Sequence, residues 1–125
     1  WHVPSDEEIM EFEMFLGMSE EEANSSGYRG TDEGSKLAGN GDLWTDGDLV
    51  NNSEFGTSGF NGFPAGYRIL DSGEYLSMGL LGYFWSSSEL SSNFAWNRKL
   101  NYDVSNVFRN YYYKQFGFSI RCLGD

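Results

Sequence analysis

The architecture of this chain depends most on residues 82–122, GYFWSSSELSSNFAWNRKLNYDVSNVFRNYYYKQFGFSIRC. This stretch opens and closes with apolar, strand-like runs at 83–85 and 116–120. Between them we predict strands at Ala95–Leu100 and Val107–Tyr113, joined by the turn-prone segment 103–106. A last strand is predicted at Phe118–Leu123 and a further short strand at 67–70, while residues 78–81 and 83–85 supply the densest apolar patch.

Aromatic side chains dominate the middle of this stretch, with seven between positions 94 and 113. The three consecutive tyrosines 111–113 cannot all enter one core, because a strand points alternate side chains to opposite faces. Large amphipathic rings beside Asn and Ser are the composition of antibody binding loops. The pattern therefore predicts a recognition surface framed by two buried strands. The alternative is an aromatic-rich sheet core with polar turns.

The N-terminal residues carry two helix signals. Residues 5–8 (SDEE) have the pattern of a capping box, in which the serine oxygen accepts the Glu amide and the Glu carboxylate reaches back. Apolar residues then recur at helical spacing up to Leu16, and Gly17 suits a C-cap, so we predict a helix over 6–16. Residues 19–22 (SEEE) repeat the signal for a shorter helix that ends near Gly27. We interpret the acids of both helices as structural.

Composition limits the possible partners. A chain of 125 residues with 39% hydrophobic content is long enough for one domain with its own core. Its net charge of −11 argues against nucleic acid, and no apolar run is long enough to insert in a membrane. The charge is uneven, because residues 1–54 carry −12 and residues 55–125 carry +1. We therefore expect the aromatic region to recognise its ligand by shape, stacking and hydrogen bonds.

The long polar stretch from Gly27 to Asn52 is predicted to be a loop anchored by a few apolar side chains, Leu43 and Trp44 among them. Asp42, Asp46 and Asp48 suggest a calcium site, since Asp-x-Asp spacing can wrap a hard cation. The EF-hand spacing is absent, however. Turn formation by Asp and Gly is the favoured interpretation, and no metal site is predicted.

Residues that often carry catalysis are sparse. The serines at 86–88 need a base to act as nucleophiles, and the one histidine, His2, has no supporting motif. The one cysteine, Cys122, cannot form a metal cluster or a standard Cys-His pair. A lone cysteine near a strand end is usually a small buried hydrophobe, and the alternative is half of a disulfide whose partner lies outside this chain. We expect no enzyme activity and no cofactor.

Two early helices and five or more short strands indicate an α+β domain with an antiparallel sheet. Four ordered blocks resemble the Fibrobacter succinogenes major paralogous domain family, namely WHVPSDEE (1–8), GFNGFPAGYR (59–68), GYFWSSSE (82–89) and KQFGFSIRC (114–122). They cover nearly the whole chain, and the visible departure is Ile9, where the family usually has Trp. The resemblance implies a single C-type-lectin-like domain over 1–125, with two N-terminal helices, short antiparallel strands and long polar loops.

The resemblance also implies a location outside the cell or on a bacterial cell surface. In this family Cys-Pro-x-Gly commonly precedes the first block. If such a block precedes Trp1, the resemblance implies that its cysteine is the disulfide partner of Cys122, which would fit an oxidising compartment.

The last third further resembles the variable region of proteins diversified by retroelements, in which template adenines are randomised. Asn codons of the AAY type then become Tyr, Ser, Asp, Phe, His or Ile, and the palette near 94–113 fits that rule. The implied function is non-catalytic binding of a protein or glycan ligand. The expected binding residues are Phe94, Trp96, Asn97, Asn101, Asp103, Ser105, Phe108, Asn110, Tyr111, Tyr112 and Tyr113.

Three other functions are weighed against this one. Calcium-dependent lectins carry Glu-Pro-Asn or Gln-Pro-Asp and Trp-Asn-Asp, whereas this chain has neither Pro tripeptide and reads WNR at 96–98. The formylglycine-generating enzymes share the implied fold, but their chemistry needs a cysteine pair. A structural module of a larger bacterial surface protein, with its aromatics packed on a neighbouring domain, also remains open, as does glycan stacking without calcium.

Overall fold

The computed structural model describes residues 1–124, which form an α+β domain. Its strands are β1 Gly27–Arg29, β2 Tyr67–Arg68, β3 Tyr75–Leu76, β4 Leu81–Glu89, β5 Phe94–Asn101 and β6 Val107–Tyr113. Its helices are α1 Asp6–Phe15, α2 Glu20–Asn24, α3 Glu33–Leu37 and α4 Asp48–Asn51, with a 3-10 turn at Gly41–Leu43. Within these residues one antiparallel sheet has the order β1-β6-β5-β4, and a second sheet pairs β2 with β3.

Helix α1 begins where the sequence predicts and ends at Phe15, one residue before the predicted end. The Ser5 hydroxyl accepts the Glu8 amide at 3.1 Å, and the Glu8 carboxylate accepts the Ser5 amide at 3.0 Å. Gly17 follows the C-cap residue Leu16, and its φ of +126° is strained for other residues. Helix α2 has the same capping box at Ser19 but ends earlier than predicted, because Ser25 is already extended.

The two central strands are also confirmed. β5 pairs with β6 in an antiparallel register that sets Phe94 opposite Tyr113 and Arg98 opposite Arg109. β4 pairs with the other edge of β5, with an irregularity between Trp85 and Glu89. Turn residues 102–106 join β5 to β6, so the sequence places this hairpin correctly.

The hydrophobic core lies between the four-stranded sheet and the helices. Its buried members are Met18, Ala23, Leu37, Ala38, Trp44, Leu49, Phe84, Leu100 and Val107. Trp44 anchors the polar stretch as expected, and its indole N–H donates to the Gly39 carbonyl at 3.0 Å. Leu43, the other expected anchor, is 55% exposed. No helix within residues 1–124 is long and apolar enough to cross a lipid bilayer.

The interpretation of residues 27–52 as loop is wrong in part, because β1, α3, the 3-10 turn and α4 lie there. These elements are short and rich in glycine, and tertiary contacts stabilise them. Gly34 is an example, since a Cβ on it would lie 2.1 Å from the Asn106 carbonyl oxygen. Close packing against the β5–β6 turn, rather than helix propensity, positions α3.

Three predicted apolar elements also need correction. Phe118–Leu123 is not a strand, because its residues bridge different partners, Ser119 with Phe84 and Leu123 with His2. Residues 78–80 form a turn in which Met78 is 75% exposed, so only β4 itself contributes to the core. The strand predicted at 67–70 is limited to the two residues of β2.

Candidate recognition surface

Strand pairing divides the predicted surface residues between the two faces of the sheet. We call the face that packs against α1 the helix side and the opposite face the outer side. Because side chains alternate along β5 and β6, the helix side receives Phe94, Trp96, Tyr111 and Tyr113. The outer side receives Asn97, Asn101, Phe108, Asn110 and Tyr112, while Asp103 and Ser105 lie in the turn. The eleven residues therefore do not form one continuous surface.

The four helix-side rings form a contiguous group, which we call the aromatic ladder. Phe94 lies 4.5 Å from Tyr113 and 5.6 Å from Tyr111, measured between ring centroids. Trp96 meets Tyr111 edge-on at 5.4 Å. Tyr111 is 41% exposed and Tyr113 49% exposed, so the ladder presents rings to solvent from the two central strands of a sheet.

A buried ion network adjoins the ladder on the same two strands. Arg98 and Arg109 are 3% and 7% exposed, and they meet the α1 carboxylates of Asp6 and Glu13. Arg98 donates to Asp6 at 2.6 Å and to Glu13 at 2.9 Å, and Arg109 donates to Asp6 at 2.7 Å. Arg29 of β1 donates to Glu13 at 2.8 Å. The network thus ties α1 to β1, β5 and β6.

Electrostatics in this network favour the ionised form of Asp6. Burial alone raises the pKa of Asp6, but hydrogen bonds and charges from Arg109 and Arg98 outweigh burial and hold that pKa below its ordinary value. The Arg109 guanidinium carbon also lies 4.0 Å from the centre of the Trp96 ring. Arg109 therefore joins the network to the ladder through a cation–π contact.

The outer side holds a second, smaller aromatic group. Tyr28 of β1 packs edge-on against Phe108 at 4.8 Å, and the Lys99 ammonium lies 4.4 Å from the centre of the Phe108 ring. The Asn101 amide donates to the Tyr28 hydroxyl at 3.0 Å. Asn110 is half-buried beside them.

The remaining outer-side ring, Tyr112, lies partly under the C-terminal segment. Its ring centre is 5.7 Å from that of Phe116 and 5.9 Å from those of Phe118 and Tyr83. Burial raises the pKa of the neighbouring Tyr83 hydroxyl. Tyr112 therefore packs largely with Tyr83, Phe116 and Phe118, and we call these four residues the inner ring cluster. Such a ring core is the alternative that the sequence left open beside a binding surface.

Asn97 is the clearest exception among the expected binding residues. It is fully buried, and within residues 1–124 neither Nδ2 nor Oδ1 of its side chain has a hydrogen-bond partner. Its assignment to an exposed surface is therefore wrong. The two turn residues differ, since Asp103 is exposed whereas the Ser105 hydroxyl donates to the Thr31 carbonyl at 2.6 Å.

The structure also places the residues considered for other chemistry. Within residues 1–124 no three His, Cys, Asp or Glu side chains are grouped to hold a metal ion, and Asp46 accepts a hydrogen bond from the Asn51 amide. The Ser86 hydroxyl donates to the Trp96 carbonyl and the Ser88 hydroxyl accepts the Asp6 amide, so both serve the fold. Cys122 is an exposed free thiol, which corrects the interpretation of a buried hydrophobe.

Comparison with known proteins identifies the family. A family model described as the Fibrobacter succinogenes major domain matches residues 1–123. The chain belongs to this family. No characterised protein and no solved structure matches the chain. The family description carries no function, so the functional argument rests on the geometry of this domain.

The sequence did not identify several residues that shape the surface of this Fibrobacter succinogenes major domain. Tyr28 and Lys99 join the outer group, and Leu90, 48% exposed, lies in the turn between β4 and β5 near the ladder strand. Arg109 supports the ladder from within. The signal that could have found them is strand parity: Lys99 and Phe108 are cross-strand partners, as are Tyr28 and Phe108.

Proposed function

We propose that this domain is a non-catalytic, receptor- or adhesin-type binding module, which uses the aromatic ladder to recognise a protein or glycan ligand. The observation that carries the proposal is the exposure of Tyr111 and Tyr113 on β6. Arg109 of the same strand and Arg98 of β5 form buried ion pairs with Asp6, which hold the two strands in place. Rings on a rigid strand lose little conformational entropy on binding, and their hydroxyls can fix the orientation of a ligand.

The setting of the ladder supports binding rather than chemistry. Its nearest charged groups are already paired: Arg109 with Asp6 on the inner side, and Lys114 with Glu89 at 2.5 Å on the outer edge. A ligand would therefore meet mainly ring faces, ring edges and tyrosine hydroxyls. Recognition would depend on shape and stacking, in keeping with the near-neutral charge of residues 55–125.

We further propose that the domain has a C-type-lectin-like scaffold, is displayed outside the cell or on the bacterial surface, and is diversified by a retroelement. The support is the resemblance of the flanking blocks and the Asn, Tyr, Ser, Asp and Phe palette at 94–113. The alternating burial of β6 also fits this proposal. Val107 and Arg109 are buried whereas Tyr111 and Tyr113 are exposed, so diversification of this strand would need to spare Val107 and Arg109.

The test is deep sequencing of the encoding locus in a population grown from one cell. We expect changes at the codons for Tyr111, Tyr113 and Asp103 that match adenines in a nearby template repeat, with Arg98 and Arg109 constant. A locus without variation and without a template repeat would overturn diversification but leave binding by the ladder intact. Loss of ligand binding in excess chelator would instead favour a calcium-dependent lectin.

A structural module packed on a neighbouring domain is the second candidate. The observation that favours it is the exposure of large apolar side chains away from the ladder, Phe15 at 83% and Trp1 at 84%. Light scattering separates the two candidates. A packing surface should make the isolated domain associate in a concentration-dependent way that Phe15→Ser abolishes, whereas a binding module should remain monomeric with or without this change.

A further inference from the structure

A groove lies beside the small β2–β3 sheet. It has a volume of about 260 Å³ and is lined in part by Gly66, Gly117, Tyr67, Tyr75, Phe118 and Arg68. The Arg68 amide donates to the Gly117 carbonyl at 2.9 Å, and the Gly117 amide donates back at 3.0 Å. The C-terminal segment and β2 thus form one wall of the groove.

Two glycines that line the groove lie where the chain packs closely against its neighbours. A Cβ on Gly66 would lie 2.0 Å from the Leu76 carbonyl oxygen, and Gly66 has a φ of +69°. A Cβ on Gly117 would lie 2.7 Å from the Arg68 Cβ. Both glycines are therefore required by close packing within the fold.

Arg68 and Tyr75 are directly opposed across β2 and β3, so their side chains project from the same face. Tyr75 is 72% exposed. The Arg68 guanidinium extends over Gly73 in the turn, and within residues 1–124 it has no ion pair or side-chain hydrogen bond. An exposed ring therefore stands beside a guanidinium whose donors are all available.

We propose that this groove binds a carboxylate-bearing sugar unit, with the pyranose ring on Tyr75 and the carboxylate on Arg68. A guanidinium is the group best suited to hold a carboxylate with two parallel hydrogen bonds. An exposed tyrosine offers an apolar face of the size of a sugar ring, beside a wet hydroxyl. The site is separate from the ladder and does not rest on the function proposed for it.

Two features favour a saccharide over a peptide or a polyphosphate. β2 is paired on both sides, by β3 and by Gly117, so a peptide cannot add a strand beside Arg68. The net charge of −11 opposes a ligand with several phosphates, whereas a single carboxylate per sugar can be balanced by one arginine.

The probe is trigalacturonic acid, with its fully methyl-esterified form as the neutral match, titrated into ¹⁵N-labelled protein. We expect amide shifts at Arg68, Tyr75 and Gly117, and binding about tenfold weaker for the ester, since the ester loses the charge-assisted hydrogen bonds. Arg68→Gln and Tyr75→Ala should each weaken binding of the acid about tenfold. Arg121→Gln removes the same charge from another exposed arginine and should change nothing, and Tyr113→Ala should also bind normally.

Both altered groove residues are exposed, so thermal melts should show variants as stable as the wild type. Equal binding of acid and ester would overturn the carboxylate assignment, and shifts confined to the ladder would overturn the location. Absence of any shift at about 10 mM trigalacturonate, far above a millimolar Kd, would overturn the site as a whole. If a tripeptide with a free C-terminal carboxylate causes the groove shifts and trigalacturonic acid does not, the saccharide assignment is wrong and the ligand is a peptide C-terminus.

Discussion

The helix side of the sheet has two halves, both built from β5 and β6. The side chains are buried in one half and exposed to solvent in the other. In one half, Arg98 and Arg109 are buried and fully engaged with Asp6 and Glu13 of α1. In the other half, only two residues further along each strand, the ladder rings reach solvent. The buried half depends on the identity of each residue, because an unpaired buried charge is costly. The exposed half needs only an extended backbone at each position, and many residue types are compatible with an extended backbone.

The largest effect is expected from breaking the buried half. Glu13 is fully buried and serves both Arg29 and Arg98, so Glu13→Gln leaves two guanidiniums short of a negative partner. We expect the free energy of unfolding, measured by urea denaturation, to fall by about 3–5 kcal/mol. Glu11→Gln on the exposed face of α1 is the control and should change it by less than about 0.5 kcal/mol. Equal effects of the two substitutions would show that the network does not hold the fold.

The buried half should also make stability dependent on acid. The folded pKa of Asp6 lies below its ordinary value of 3.8, so the stability from its ion pairs is fully present above that value. It should be lost as the pH falls through the lower, folded pKa. Urea denaturation of the wild type and Asp6→Asn from about pH 6 to pH 2 measures this dependence. The difference between the two proteins should shrink at the acid end, and a difference that stays constant would refute ionised pairing.

The exposed half should respond in binding rather than in stability. We expect Tyr111→Ala to weaken the binding of a partner protein or glycan, first isolated with the wild-type domain, by about 2 kcal/mol. This is the loss typical of a ring at the centre of an interface. The free energy of unfolding, measured by urea denaturation, should change by less than about 1 kcal/mol, since Tyr111 is exposed. Tyr75→Ala removes an equally large exposed ring elsewhere and should leave this binding intact. A partner that tolerates alanine at all four ladder positions would show that the ladder is not its site.

The smallest effect is expected at Asn97, on the opposite face of the same sheet. Its buried amide is unpaired within residues 1–124, so Asn97→Val should raise the free energy of unfolding by about 1 kcal/mol. Binding by the ladder should be unchanged, because the residue does not reach the surface. Asn110→Val, half-buried on the neighbouring strand, is the comparison and should not stabilise. A loss of stability at Asn97 would mean that its amide is satisfied and needed.

Local signals in the sequence predict the elements that frame both halves. The capping box before α1, the glycine after it and the turn between β5 and β6 depend on residues close together in the chain, and each prediction is confirmed. The short elements α3 and α4 escape prediction because contacts such as that of Gly34 with the β5–β6 turn stabilise them.

The ion network could not be predicted, because its partners are far apart in the chain. Asp6 and Arg98 are separated by 92 positions, and in sequence both look like ordinary solvated charges. The division of the binding residues was within reach, since alternation alone separates Tyr111 and Tyr113 from Tyr112. Alternation does not say which face is covered, however. Asn97 and Tyr112 were therefore assigned to solvent although β2 and the C-terminal segment lie over the inner ring cluster.

Saturation mutagenesis of residues 94–113, with surviving variants sorted by protease resistance, tests most directly whether one sheet face has a fixed half and a variable half. We predict that Tyr111, Tyr113 and Phe94 tolerate most substitutions, while Arg98, Arg109 and Val107 tolerate almost none. Equal intolerance at Tyr111 and Arg98 would contradict this account, because the rings would then be part of the core rather than a displayed surface.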